Sequence, residues 1–113
     1  MSIETIKAKS FVEKLRELDP EMQLQSVMAL LLISEGHETK SWYTVKDLAE
    51  RVSISPASAS RNVAILSKWN RHDKKGHDLV ISWENPKNRV EKFVKLTPKG
   101  EKFMQELKKA FVQ

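Results

Sequence analysis

Two histidine–aspartate pairs are the residues whose types most directly suggest chemistry. His72-Asp73 and His77-Asp78 offer nitrogen and oxygen ligands five residues apart, which is no recognised metal spacing, and a third ligand is not evident. The chain has no cysteine, so thiolate zinc sites, disulfides and a cysteine nucleophile are excluded. Paired carboxylates, a glycine-rich phosphate loop and a Ser/His/Asp set are also missing from the sequence. The sequence therefore predicts no metal, no cofactor and no enzyme activity.

The basic residues are the second candidate for chemistry, because they are unevenly distributed along a chain of net charge +5. Residues 1–43 carry five basic and seven acidic side chains, whereas residues 44–113 carry fifteen and eight. Most of the excess lies between Arg61 and Lys99. A mixed pattern is typical of solvated faces, but a one-sided stretch favours a surface that binds an anion.

The length of 113 residues gives room for one domain with one core, and no linker or internal repeat divides the chain. The longest apolar run, residues 27–33, is too short to cross a bilayer. Residues 1–7 carry early charge and lack the apolar core of a secretion signal. We therefore expect a single cytoplasmic domain over residues 1–113.

Helical spacing of apolar residues predicts two N-terminal helices within residues 1–35. The first covers residues 3–18, where Phe11 and Leu15 belong to the apolar stripe. The second is apolar nearly all round and extends from a cap at Asp19-Pro20 to Gly36. This pattern predicts that the second helix is the central core element.

Capping residues predict a pair of short helices after this. Thr44 and Asp47 form a capping box, in which each side chain bonds the other's free amide, at the start of a third helix. Ser55 caps a fourth helix over residues 55–69, with Pro56 in its first position. Only a tight turn at Ser53 separates the two helices.

A hairpin and a last helix follow a basic loop. Leu79, Ile81 and Trp83 alternate with other residues, a turn follows at residues 84–89, and residues 90–96 alternate again. Thr97-Pro98 then begins the last helix, within residues 97–113. This order predicts an α+β, mainly helical fold: a winged helix-turn-helix with two N-terminal helices, a β-hairpin wing and a C-terminal helix. In such folds the second helix of the pair enters the DNA major groove.

Two segments carry a more specific resemblance. Residues 48–63, LAERVSISPASASRNV, align without a gap to the pattern Leu-Ala-x-x-Leu-Gly-Leu-Ser-x-x-Thr-Val-Ser-Arg of MarR-type regulators. Residues 94–100, VKLTPKG, resemble the Val-x-Leu-Thr-x-x-Gly signature of the same family. The resemblance implies a transcriptional regulator, a repressor in the simplest case. It also implies a homodimer whose recognition helices bind half-sites of a pseudo-palindromic operator about one helical turn apart.

Two positions depart from the family pattern. Ser53 stands where the family usually has glycine in the turn. The wing arginine of the family corresponds to Val90 here, and Arg89 is one position earlier. Since a shift of one residue turns a strand side chain to the other face, Arg89 reaches DNA only if a bulge or the tip turn restores its direction.

Helix geometry predicts the DNA contacts of the fourth helix. If Ala59, Val63 and Leu66 point inward, a step of about 100° per residue places other side chains outward or on the flanks. The outward side chains are Ala57, Arg61, Ala64 and Lys68, and Ser58 and Ser60 lie on the flanks. The predicted base contacts are Ala57, Ser58, Ser60 and Arg61, with the Arg61 guanidinium bonding guanine O6 and N7.

Other polar and basic residues are predicted to contact phosphates, which give affinity without sequence information. These phosphate contacts are Thr44, Ser55, Lys68, Arg71, Lys74 and Lys75. The wing, residues 84–92, is expected on the backbone or in the minor groove through Lys87, Asn88 and Arg89. Lys92 and Lys95 are further candidates for phosphate contacts.

The first and last helices offer apolar residues for a dimer interface. The predicted dimer residues are Phe11, Leu15, Phe103, Leu107 and Phe111. The alternative is that these stripes only close the core of one chain. No residue of the sequence argues for a small-molecule effector, which we leave unknown.

A competing hypothesis is a winged helix that binds a protein, such as a viral or plasmid factor that binds a host protein, because a fold does not determine a function. Ile65 and Trp69 at the rim of the fourth helix favour it, whereas Arg61 beside small residues favours DNA. RNA or single-strand binding would need exposed aromatic residues on a sheet, and Phe93 alone supports it. We expect Trp42, Trp69 and Trp83 in the core.

Overall fold

The structure is a computed structural model that describes residues 2–68 and 75–112. In these two ranges, five α-helices and one hairpin follow each other in the predicted order. They are α1 (Ile3–Leu18), α2 (Leu24–Thr39), α3 (Val45–Val52), α4 (Pro56–Leu66), β1 (Val80–Asn85), β2 (Asn88–Leu96) and α5 (Pro98–Lys108). A one-turn 3₁₀ helix, Lys109–Phe111, follows α5. The predicted mainly helical, winged helix-turn-helix fold is confirmed.

The core is built around α2, as the sequence predicts. Leu30 and Ile33 of α2 are fully buried against Leu48 of α3, Leu66 of α4 and Leu107 of α5. Helices α3 and α4 both contact α2, and the hairpin packs on it through β2. Burying each such side chain stabilises the fold by roughly 1.5–3 kcal/mol, so α2 is the platform that holds the helix pair and the wing together.

The ends of α2 differ from the prediction. Asp19 does not cap α2: its carboxylate accepts a hydrogen bond from the Glu21 amide in a separate turn, and α2 begins at Leu24. The helix continues beyond Gly36 to Thr39 and ends at Lys40, whose φ is 56°. Gly36 therefore lies inside the helix, where a Cβ would be 2.9 Å from the Ser41 carbonyl oxygen, so the glycine is explained by this close approach and not by a helix end.

The caps of the helix pair confirm the prediction. The Thr44 hydroxyl accepts a hydrogen bond from the Asp47 amide at 3.0 Å, and the Asp47 carboxylate accepts one from the Thr44 amide at 2.9 Å. The Ser55 hydroxyl accepts from the Ser58 amide at 3.1 Å, with Pro56 in the first turn of α4. Each cap satisfies an amide that the helix leaves free and stabilises it by about 1 kcal/mol.

The alternation predicted for the first strand is wrong in phase. Val80 is 1% exposed and Ile81 is 51% exposed, so Ile81 does not face the core. Val80 pairs with Leu96 and Ser82 with Val94, which places these four side chains on the inner face of the hairpin. Leu79 is buried as well, but it precedes the strand. Its amide donates to the Leu66 carbonyl and its carbonyl accepts from the Thr97 amide.

The strand predicted at Trp42-Tyr43 is reduced to one bridge. Thr44 pairs with Phe93, and the Tyr43 carbonyl accepts a hydrogen bond from the Val94 amide at 3.1 Å. The start of α3 is thereby attached to the hairpin, which places the helix pair and the wing side by side.

The last helix begins as predicted but is shorter. Thr97 caps it through the Gly100 amide at 2.9 Å, and Pro98 lies in its first turn. Because α5 ends at Lys108, Phe111 belongs to the 3₁₀ helix and not to a continuous apolar face. Both α5 and the 3₁₀ helix pack against α1.

Candidate nucleic-acid interface

The turn between α3 and α4 is closed by Ser53 in a left-handed conformation. Its φ is 62° and its ψ is 47°, and its amide donates to the Ala49 carbonyl. The Ile54 amide donates to the same carbonyl at 3.0 Å. Glycine adopts this conformation without steric strain, whereas a residue with a Cβ is destabilised by roughly 1–2 kcal/mol. The chain thus keeps the helix-turn-helix geometry without the glycine that the family pattern has here.

The buried face of α4 contains the three apolar residues that the sequence analysis placed there. Ala59, Val63 and Leu66 are buried, but so is Asn62, which the sequence analysis missed. Asn62 follows Arg61 directly, and the spacing of three and four residues in a helix places it beside Ala59 and Leu66. That spacing was the signal that could have found it.

The outward face of α4 is small and cationic. Ala57, Ser60 and Arg61 are exposed, and Ser58 is half-buried. Ala64 is half-buried rather than outward, because it lies against the hairpin in the groove beside Val80. The helix ends at Leu66, and the predicted end at residue 69 is therefore too late, so Lys68 is exposed beyond the helix and not on its surface.

Arg61 is oriented along its own helix. Its Nη2 donates a hydrogen bond to the Ser58 hydroxyl at 3.0 Å, and the Ser55 hydroxyl donates to the same oxygen at 3.0 Å. Among the described residues this is the one side-chain hydrogen bond of the guanidinium. Because a guanidinium has five N–H donors, it retains the paired donors that bidentate bonding to an acceptor group requires.

A groove of about 480 Å³ separates α4 from the hairpin. Its floor is apolar, with Val45, Val63 and Val80, and the charged side chains that line it among the described residues are Lys68, Asp78 and Lys92. The groove opens beside Ser60, one residue from Arg61. The cationic side chains at the end of α4 and on β2 therefore lie along one concave surface.

The tip of the hairpin contains the irregularity on which the role of Arg89 depends. Glu84 pairs with Lys92, but the next residue, Asn85, pairs with Asn88, which leaves residues 89–91 without partners in the register. The Asn85 side chain fixes the turn by accepting from the Lys87 amide at 3.0 Å. Lys87, Asn88 and Arg89 are all exposed.

The predicted phosphate contacts have different surroundings. Thr44 is 8% exposed and its hydroxyl caps α3, so it is used inside the fold and is not presented to a phosphate. Ser55, Lys68 and Lys75 are exposed. Arg71 and Lys74 lie outside the described residues, as do His72 and Asp73. His77 bonds Asp19 through its Nε2 at 3.1 Å.

The prediction that the tryptophans lie in the core is wrong for Trp42 and Trp83. Trp42 is 39% exposed and meets Trp83 edge-on, with ring centroids 5.2 Å apart. Trp83 in turn packs on Phe93 at 5.6 Å and under the Lys95 ammonium. Trp83 and Phe93 lie on the outer face of the hairpin because the strand phase differs by one residue from the prediction, and Trp42 packs against that face. Trp69 lies outside the described residues.

The five predicted dimer residues fall into two groups. Leu15 and Leu107 are buried in the core of a single chain and have no surface left for a second one. Phe11 and Phe103 are half-buried, and Phe111 is exposed with its ring 5.4 Å from that of Phe11. Ile3, Ile6 and Val12 follow the helical spacing of α1 but were not among the predicted dimer residues, and they are exposed apolar residues.

Two groups of the described residues have shifted pKa values, and neither belongs to α4 or to the strands of the hairpin. The Tyr43 hydroxyl donates to Glu35 at 2.6 Å, and this hydrogen bond raises the pKa of Tyr43. The hydrogen bond from Lys109 lowers the pKa of Glu106. Within residues 2–68 and 75–112, His, Cys, Asp and Glu side chains form no cluster of three that could hold a metal. None of the helices described is both long and apolar enough to span a bilayer.

These elements define a winged helix-turn-helix domain with an exposed arginine, Arg61, on α4, the second helix of the helix-turn-helix pair. No family model matches the chain, and no curated protein matches it. Among solved structures, the S. aureus MepR–DNA complex matches with a TM-score of 0.72 and 17% identity, over 93% of this chain and 73% of that one. MarR matches with a TM-score of 0.67 and 18% identity, over 95% of this chain and 71% of that one. YusO from Bacillus subtilis matches with a TM-score of 0.66 and 15% identity, over 92% of this chain and 64% of that one. The chain has the fold of the MarR-type regulators.

Proposed function

We propose that this chain is a sequence-specific regulator of transcription that binds double-stranded DNA as a homodimer. In this proposal α4 lies in the major groove and the wing contacts the backbone or the minor groove. The observation that carries the proposal is the outward face of α4, where the exposed Arg61 stands among the small residues Ala57, Ser58 and Ser60. Small neighbours let the helix approach base edges closely, and the arginine supplies bidentate bonding to guanine.

The simplest mode of action is repression. A dimer bound to a pseudo-palindromic operator in the cytoplasm blocks a promoter by occupying it, without catalysis or a cofactor. The likeness to MepR supports DNA as the partner, since that protein was solved as a DNA complex. The dimer would form through the exposed apolar residues of α1 together with Phe111.

The test is selection of bound sequences from a random pool of DNA duplexes at one stated salt concentration. The expected result is enrichment of a sequence with two related half-sites about one helical turn apart. A pool that remains random after selection contradicts sequence-specific binding.

Variants of two basic residues then separate base contact from phosphate contact. Arg61→Ala is expected to reduce the preference for the selected duplex over random DNA by about 1–3 kcal/mol, the value of one bidentate pair. Lys75→Ala is expected to weaken binding to both duplexes equally. If Arg61→Ala, like Lys75→Ala, weakened binding to the selected and the random duplex by the same factor, the proposed roles would be contradicted.

One observation favours a protein partner instead. Ile65, on α4, is a large apolar side chain that remains exposed, and apolar residues of this kind are typical of protein interfaces. If selection enriches no duplex and Ile65→Lys abolishes capture of a protein partner, the protein-binding function replaces the proposal.

A further inference from the structure

Asn62 is a buried amide at the contact between α4 and α2. It is 3% exposed, as is Ser26 in the first turn of α2. The Ser26 hydroxyl donates to Asn62 Oδ1 at 2.8 Å, and Asn62 Nδ2 donates to Gln25 Oε1 at 2.9 Å. Both ends of the amide are therefore bonded to the same neighbouring helix.

Stability alone does not explain a polar residue here. A buried amide must replace its hydrogen bonds to water, so its net contribution is small even when it is fully bonded. An apolar pair of similar volume at such a contact is often as stable or more stable. The other buried residues of α4, Ala59, Val63 and Leu66, make apolar contacts, which have no preferred direction.

Two hydrogen bonds from one amide do have direction. They restrict rotation of α4 about its own axis and sliding along α2, which apolar contacts leave freer. Arg61 precedes Asn62 by one residue, or about 100° and 1.5 Å along the helix. A rotation of about 20° moves a side chain at a radius of roughly 5–6 Å by about 2 Å. A displacement of that size breaks a bidentate hydrogen bond, which needs distances near 3 Å.

We propose that Asn62 is a positioning residue that sets the rotation of α4 and thereby the direction of the Arg61 guanidinium. It acts through its bonds to Ser26 and Gln25 and does not itself contact DNA. The inference rests on the proposed DNA-binding function for its effect on specificity. The orientation of α4 in the free protein is a consequence that requires no DNA.

The main test is the double variant Ser26→Ala/Asn62→Leu, which replaces the buried polar pair by an apolar one. We expect a urea midpoint close to or above that of the wild type, because the two buried partners are removed together and the half-buried Gln25 can bond water in place of Asn62. Residual dipolar couplings of the α4 amides are expected to show an altered or averaged orientation relative to α2. The preference for the selected duplex is expected to fall at least tenfold, with affinity for random DNA unchanged within about twofold.

Two controls separate positioning from general damage. Ser34→Ala removes another buried hydroxyl of α2, at its α5 side, and is expected to keep the wild-type couplings and preference. Gln25→Glu retains an acceptor for Asn62 Nδ2 and is expected to behave as the wild type. Gln25→Leu removes that acceptor and is expected to lower the preference about threefold.

Each outcome decides the inference. Wild-type couplings and preference in the double variant overturn it. If the double variant does not fold, equal behaviour of Gln25→Leu and Gln25→Glu overturns it, and a difference in α4 couplings supports it. If the wild type selects no duplex, the proposed function fails, and the α4 couplings still decide the positioning role.

Discussion

Ser53 shows how one backbone conformation is kept by an unfavourable residue. Its φ of 62° closes the turn of the helix pair. We expect Ser53→Gly to raise the free energy of unfolding by about 1 kcal/mol. Glycine relieves the backbone strain of roughly 1–2 kcal/mol, and its larger loss of conformational entropy on folding offsets part of that gain. Urea denaturation measures the change. Ser53→Ala keeps the Cβ and serves as control, and equal stability of the two variants would contradict the argument.

Gly100 is a residue at which close packing opposes helix propensity. It lies in α5, where alanine would be favoured over glycine by about 1 kcal/mol. A Cβ at this position would lie 2.0 Å from the Leu79 carbonyl oxygen. We therefore expect Gly100→Ala to destabilise the protein by about 3 kcal/mol in urea denaturation. Lys99→Ala, at an exposed position of the same turn, is expected to change stability by less than about 0.5 kcal/mol.

The same contact explains part of the family resemblance. A glycine three residues after the threonine of Leu-Thr is required because the helix begins against a neighbouring carbonyl. A gain in stability for Gly100→Ala would mean that propensity decides at this site and that the close contact does not. Ser53 is therefore a position that tolerates an unfavourable residue, whereas Gly100 is a position that does not.

At the scale of elements, local signals predicted α3 and α4 and failed where distant residues decide. The caps at Thr44 and Ser55 are bonds between neighbours in the sequence, so the sequence alone contains them. The start of α2 and the phase of β1 depend on which residues pack on other elements. Val80 faces inward because it pairs with Leu96, and no pattern within residues 79–83 contains that information.

The candidate site divides in the same way. The exposed Arg61 follows from helical spacing, whereas the burial of Thr44 and the bonding of Asn62 across to α2 depend on tertiary contacts. The unpaired residues 89–91 in the wing are also a property of the two strands together. The spacing in the sequence indicates that Arg89 requires such an irregularity, but it does not show that one exists.

The wing provides a prediction at the element scale. If Arg89 neutralises one phosphate, Arg89→Ala is expected to make the slope of log affinity against log salt about 0.9 less steep. The whole surface, with about six phosphate contacts, is expected to give a slope near −5. Fluorescence anisotropy with the selected duplex at several salt concentrations measures both. Lys9→Ala on α1 is the matched control, and a slope unchanged in Arg89→Ala would contradict a phosphate contact by Arg89.

At the scale of the whole molecule, the exposed apolar residues of α1 predict self-association. Ile6 is exposed on α1 in a single chain. We expect Ile6→Lys to raise the dimer dissociation constant at least tenfold, because a desolvated lysine opposes association. The control Leu24→Lys changes an exposed apolar residue of α2 and is expected to leave the dimer dissociation constant unchanged. Light scattering after size exclusion at several concentrations measures the state, and a wild-type chain that stays monomeric would remove the two-fold operator model.

The backbone of Leu79 connects α4 directly to the start of α5. Its amide is bonded to the last turn of α4, its carbonyl to the first turn of α5, and its oxygen lies against Gly100. Both backbone groups of one residue are thus bonded, one to the helix proposed to read DNA and the other to the cap of the helix that packs on α1. If the chain forms the proposed dimer, we expect a displacement of α5 to act on the C-terminal end of α4 through these two backbone hydrogen bonds and not through side-chain contacts alone.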